Sequence, residues 1–144
     1  MWKVLEDSKN RLWAATDGGG LNLYNRTTQR FTQFYQKGTQ RTGLRSNKIR
    51  TIFEDSDKGL WFGHFPSGIS KLDRYATAFK NFYKDPTTAN SLSHNAILSI
   101  TEDKNENLWV GTEQGLNRID KERKQITRFT KGNNTQGLQA DPIL

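Results

Sequence analysis

Hydrophobic residues along this chain fall in short runs of strand length, separated by clusters of Gly, Asn, Asp, Ser and Lys. The pattern is clearest in the middle of the chain. Residues 49–55 (Ile-Arg-Thr-Ile-Phe-Glu-Asp) are followed by 60–64 (Leu-Trp-Phe-Gly-His), 69–73 (Ile-Ser-Lys-Leu-Asp) and 79–84 (Phe-Lys-Asn-Phe-Tyr-Lys). β-Branched and aromatic residues mark most of these runs, as expected for strands. Turn-forming residues fill the gaps, with Ser-Asp-Lys-Gly after the first run and Phe-Pro-Ser-Gly after the second. No segment holds ten or more residues with a 3.6-residue period, so a helical architecture is disfavoured.

The same four runs occur three times. Trp13, Trp61 and Trp109 stand 48 residues apart, as do the Glu-Asp pairs Glu6-Asp7, Glu54-Asp55 and Glu102-Asp103. Leu44 and Leu92, Asn47 and Asn95, and Ile49 and Ile97 keep the same interval. Gly20, Gly68 and Gly115 follow with one residue deleted from the last turn. A fixed period of this length identifies a repeat architecture. Four strands joined by short turns form an antiparallel meander, and a unit of about 48 residues is too long for a leucine-rich solenoid or a β-helix rung. The expected fold is all-β: three four-stranded antiparallel blades of a β-propeller, at 1–48, 49–96 and 97–142, with 143–144 starting the first strand of a further blade.

Roles follow from position. Each repeat Trp has Ala15, Gly63 or Gly111 two residues on, hence on the same face of its strand. A large ring beside a small residue suits close packing of blades, so each Trp is expected to wedge against a neighbour and bury on the order of 200 Å². Phe31 and Phe34, like Phe79 and Phe82, are three apart, which breaks strict alternation and suggests a bulge or strong twist in the outer strand.

With the motif assembled, the sequence resembles the two-component regulator propeller repeat. The resemblance rests on Ser91-Leu92-Ser93-His94-Asn95, on Ile97, Ile100, Glu102 and Asp103, on Leu108-Trp109-Val110-Gly111-Thr112, on Gly115, Leu116 and Asp120, and on the closing Phe129. It covers essentially the whole chain, three times. It implies a non-catalytic sensor region of a bacterial membrane-anchored regulator, in the periplasm, ahead of a membrane helix and an output module, and responsive to polysaccharide fragments. Ala15 departs from the Gly of the pattern, and His64 stands where Thr16 and Thr112 stand in the other copies. His64 reads either as a solvated turn residue or as the place where one copy acquires a site of its own.

Composition narrows the chemistry. There is no Cys, hence no disulfide framework and no thiol nucleophile. The two His, His64 and His94, show no metal-ligand spacing, and no cofactor is expected. Asp55 to Gly59 is similar to the start of a calcium loop but lacks its distal Glu, so a hairpin turn is expected there. No nucleophile elbow or phosphate-cradling loop is present, which argues against an enzyme. A metal-dependent lyase of propeller fold would need more His than these. The net charge of +7 is scattered along the chain instead of clustered, which fits a solvated surface or an anionic small ligand better than nucleic acid. No run is long enough to span a membrane, and the N-terminal residues lack signal-peptide character.

In a propeller the link into the innermost strand and the turn between the second and third strands share one mouth. The candidate ligand-binding residues are therefore Arg45, Asn47, His64, Phe65, His94 and Asn95, with Asp17, Glu113 and Gln114 beside them, suited to an oligosaccharide or another small polar or anionic ligand. A scaffold for protein partners, with no small ligand, is the alternative. Three blades do not close a ring, since propellers typically have four to eight. The chain is expected to be either a piece of a longer propeller or a self-sufficient half, and in either case two copies head-to-tail are expected to close a six-bladed ring as a homodimer.

Overall fold

A computed structural model describes residues 3–36, 43–72 and 79–132. The expected strand start at 143–144, the end of the third repeat beyond 132, and Met1 and Trp2 lie outside the described residues. Twelve strands form among those described. The first sheet holds β1 (Lys3–Glu6), β2 (Leu12–Ala15), β3 (Leu21–Asn25) and β4 (Arg30–Phe34). The second holds β5 (Ile49–Glu54), β6 (Leu60–His64), β7 (Ile69–Leu72) and β8 (Phe79–Phe82). The third holds β9 (Ile97–Glu102), β10 (Leu108–Thr112), β11 (Gly115–Ile119) and β12 (Ile126–Phe129). In each sheet the strands pair antiparallel in sequence order. The first strands of successive sheets contact one another, β1 with β5 and β5 with β9. They are therefore the inner strands, and β4, β8 and β12 form the rim. The architecture is three propeller blades.

Between the blades lie two apolar layers. Trp13, Ala15 and Leu21 of the first blade meet Ile49, Ile52, Leu60 and Phe62 of the second. Trp61 and Ile69 of the second meet Ile97, Leu108, Val110 and Ile119 of the third. The small residue beside the Trp acts as expected. A Cβ added at Gly63 would sit 2.6 Å from Cγ2 of Ile97 across the interface. Ala15 fits in the first blade and is fully buried, so its departure from Gly is absorbed there.

The rim strands carry no bulge: β4 and β8 pair with β3 and β7 in unbroken register. The three-residue spacing of the Phe residues has another cause. A blade has neighbours on both sides, and residues three apart in a strand point to opposite faces. Phe82 accordingly packs on Trp61, 5.5 Å between ring centroids, while Phe79 packs on Phe62 at 5.9 Å on the other face. The register shifts fall instead in the inner strands, at Arg50 in β5 and Leu98 in β9.

The Glu-Asp pairs also acquire a cause. The Oδ1 of Asp7, Asp55 and Asp103 accepts the N–H of Arg11, Gly59 and Asn107, which closes the first hairpin turn of each blade. Oδ2 of the same carboxylate accepts the indole N–H of Trp13, Trp61 or Trp109 at 2.8–2.9 Å. One acid per blade therefore fixes both the turn and the ring that packs on the next blade. The turn between second and third strands requires Gly for a steric reason. Gly68 has φ of +79°, and a Cβ there would collide with the carbonyl oxygen of Phe82.

Candidate functional site at the blade mouth

The links into β5 and β9 are stitched to the turns after β2 and β6. Gly18 and Gly20 donate their N–H groups to the Asn47 carbonyl at 3.1 and 2.9 Å, and Gly68 donates to the Asn95 carbonyl at 2.8 Å. Each link is also held by its own blade, through Phe65 N–H to the Lys48 carbonyl and Glu113 N–H to the Ala96 carbonyl. The two sets of loops therefore share one end of the blades.

At that end, between the first and second blades, lies a pocket of about 210 Å³ lined by Asp17, Lys48, Arg50 and Phe65. Its floor and walls come from three elements. Asp17 and Lys48 form an isolated antiparallel bridge where the first blade meets the link. Arg50 is the bulged residue of β5, and its guanidinium carbon lies 5.6 Å from the centroid of the Phe65 ring. A bulge re-aims its side chain, and here it lays a cation over an aromatic face. Lys48 and Asp17 are exposed, and Phe65 is half-buried. The pocket thus combines two cations, one carboxylate and one ring. It can hold an anionic group and stack an apolar face.

Of the six residues expected to bind ligand, only Phe65 lines this pocket. Asn47 and Asn95 have structural work: their Oδ1 atoms accept the N–H of Gln36 and Lys84, pinning the end of each rim strand to the following blade. His94 accepts the Ala96 N–H at Nδ1, 3.1 Å, as a local turn bond. Arg45 turns away to a separate hollow, donating to the Ser67 carbonyl at 3.3 Å and lying 4.2 Å from the Tyr83 ring centroid.

His64 is neither in a turn nor solvated. It ends β6 and is fully buried. Ser70 Oγ donates to Asn81 Oδ1 at 2.7 Å, so its only proton is committed and His64 must donate from Nε2 to Ser70 Oγ, also 2.7 Å. That leaves Nδ1 as a buried acceptor with no partner among the described residues. Burial, with help from the Arg45 charge, lowers the imidazole pKa to about 3, against the pull of the Lys48 and Ser46 backbone. His64 is a neutral packing residue. Blade three shows why it is tolerated. There Thr112 and Asn117 stand at the equivalent positions and bond through Ser93, with Thr112 Oγ1 3.1 Å from Ser93 Oγ and Asn117 Nδ2 donating to it at 2.9 Å. Blade two exchanges Thr for the larger His and Asn for the smaller Ser.

Lys48 and Arg50 were missed by sequence reasoning, although a signal existed. They replace Ala96 and Leu98 of the next repeat, the same kind of departure that drew attention to His64.

Residues 43–65 and 91–114 match the model of the two component regulator propeller family. Two stretches of this chain are therefore similar to two-component regulator propeller repeats. Each matched stretch runs from the link through the inner strand and the Trp strand, the part that builds the mouth and the blade interface. No curated protein sequence is similar at a significant level. Among solved structures, the extracellular domain described as that of the hybrid two component system BT3049 from B. thetaiotaomicron superposes with a TM-score of 0.78. It shares 20% identity over 90% of this chain and 18% of its own. That likeness is one of fold. The extracellular domain described as that of the hybrid two component system BT4673 from the same organism gives a TM-score of 0.70 and 27% identity. It covers 88% of this chain and again 18% of its own. The repeats here thus span less than a fifth of the length of either structure.

Proposed function

We propose that these blades belong to the ligand-sensing region of a bacterial signal-transduction regulator, on the outer side of the cytoplasmic membrane, and that their mouth binds an acidic saccharide. The family of the repeats and the extracellular domains they resemble support the setting. The single observation that carries the ligand class is the pocket at the first blade junction. Lys48 and Arg50 offer charge to a carboxylate or sulfate, Phe65 offers a face for a sugar ring, and Asp17 offers an acceptor for hydroxyls. The pocket spans two blades, so an occupant bridges them and reports on their relative position.

Thermal shift with neutral and uronic-acid oligosaccharides of equal length tests this. The acidic series is expected to stabilise the chain, by about 2.7 kcal/mol at a hundredfold excess over Kd, and to weaken as salt is raised. Lys48→Glu, at an exposed position, should leave the unliganded melting temperature unchanged and cost at least about tenfold in affinity. Equal response to neutral and acidic sugars, or full affinity in Lys48→Glu, would overturn the assignment.

A further inference from the structure

The mouth of the second blade junction repeats the backbone of the first and reverses its chemistry. Gly68 donates its N–H to the Asn95 carbonyl as Gly20 does to that of Asn47, and Glu113 N–H bonds the Ala96 carbonyl as Phe65 N–H bonds that of Lys48. The inner strand β9 is bulged at Leu98 as β5 is at Arg50. The positions that line the first pocket, Asp17, Lys48, Arg50 and Phe65, therefore recur one repeat later as Phe65, Ala96, Leu98 and Glu113. Ala96 is fully buried, Leu98 is half-buried and Glu113 is exposed. Two cations give way to two apolar side chains. The acid passes from the turn of the preceding blade to that of the following one.

Phe65 belongs to both sets. It ends the first, where its ring centroid lies 5.6 Å from the Arg50 guanidinium carbon, and it begins the second. The inner strands β5 and β9 are in contact, so the two sets are neighbours along one mouth. A ligand lying across both junctions meets positive charge first and apolar surface next. A second anionic unit would find no cation among Phe65, Ala96, Leu98 and Glu113, and would face the Glu113 carboxylate. Like charge placed this way rejects a competitor. A unit carrying only hydroxyls would cover Leu98 with groups that lose water and gain no partner from it. The methyl of an acyl group loses nothing there and gains apolar contact with Leu98 and Phe65, while Glu113 accepts from an amide N–H or a hydroxyl.

On the footing of the acidic-saccharide site proposed above, we infer that the mouth selects a mixed saccharide. Its acidic unit sits at the first junction and an uncharged, N-acylated unit sits beside it at the second. Leu98 and Glu113 set that preference, and Lys48 and Arg50 set the preference for the acid.

Calorimetric titration with two disaccharides tests this. One joins two hexuronic acids, and the other joins a hexuronic acid to an N-acetylhexosamine. The mixed disaccharide should bind at least about tenfold more tightly, since it exchanges a like-charge contact for a buried methyl. Glu113→Gln, at an exposed position, should narrow that gap by improving the all-acidic ligand. Leu98→Arg rebuilds the charge of the first junction at the second and should close the gap or reverse it. Lys48→Glu should weaken both disaccharides alike, because each places an acid at the first junction. In NMR spectra the acetyl methyl of the bound mixed disaccharide should show a nuclear Overhauser effect to the Leu98 methyls. Equal wild-type affinity for the two, with both lost in Lys48→Glu, would overturn the mixed preference and leave the cationic pocket standing. A gap that neither Glu113→Gln nor Leu98→Arg alters would also overturn it, by placing the preference elsewhere. Affinities indifferent to Lys48→Glu would overturn the pocket and this inference together.

Discussion

Asp55→Ala and Asp103→Ala make the same change at the same repeat position, yet should differ sharply in cost. Asp55 is 3% exposed and accepts from Gly59 N–H at 2.8 Å, from Trp61 Nε1–H at 2.8 Å and from Arg123 at 3.4 Å. Truncation loses the turn bond, worth about 1 kcal/mol, and the charge-assisted contact, worth about 1.5–3 kcal/mol. It also strands an indole N–H on a ring that is fully buried. That adds about 1–3 kcal/mol, for a total of about 3–5 kcal/mol after allowing for relaxation. For a chain of this size the melting temperature should drop by roughly 10–15 °C. Trp109 is only half-buried, so when Asp103 is removed its N–H reaches water and the loss is much smaller. Urea denaturation measures both. Equal costs, or a loss below about 1 kcal/mol for Asp55→Ala, would refute the reasoning that the acid matters because the ring it holds is sealed between blades.

Three further outcomes are expected. Gly63→Ala forces a methyl against Ile97 and Thr51, 2.6 Å from each Cγ2, and should cost about 1–3 kcal/mol in denaturant melts, and the double variant with Ile97→Ala should cost less than the sum of the two single changes. His64→Thr alone should destabilise by leaving a gap beside Ser70, whereas His64→Thr with Ser70→Asn and Arg45→Ser restores the Thr-Asn-Ser trio used in blade three and should recover most of the loss. The pH profile follows from the lowered pKa of His64, about 3 in the fold. The unfolded chain takes up a proton near the ordinary value that the fold refuses. Stability is therefore full above about pH 6.5 and declines toward pH 3, with a limiting slope near 1.4 kcal/mol per pH unit that the triple variant, lacking His64, should remove. At the acid end of that window Asp103, whose pKa the Trp109 indole N–H lowers to about 2, should add a further loss as pH falls through about 4 to 2.

The blades were legible in the sequence because their spacing is covalent: one period carries Trp, Gly and the strand runs, and the strands observed follow those runs closely. The second role of the repeat was not. Glu54 touches Ser8 and Glu102 touches Ser56 across a sequence separation of 46, so the Glu of each pair acts in the neighbouring blade and not in its own. The Phe pairs of the rim were misread as a bulge because a strand with two neighbours needs an aromatic on each face. The mouth was legible as a place but not as a set of residues. Asn47 and Asn95 are shared by two repeats because they pin rim strands, whereas Lys48 and Arg50 are particular to one repeat. Which way Arg50 points depends on a one-residue register shift in β5 that hydrophobic patterning does not encode. His64 turned out to be packing, balanced by Ser70, an exchange visible only once the two strands are seen side by side.

Exchange of the Trp indole protons, followed by NMR at low protein concentration, tests the stacking of the blades most directly. Trp13 and Trp61 are sealed between blades and bonded to Asp7 and Asp55, and their indole protons should exchange only on unfolding. Trp109 makes the same bond to Asp103 but is only half-buried, and its proton should exchange far faster. Equal exchange of all three at low concentration would contradict the account.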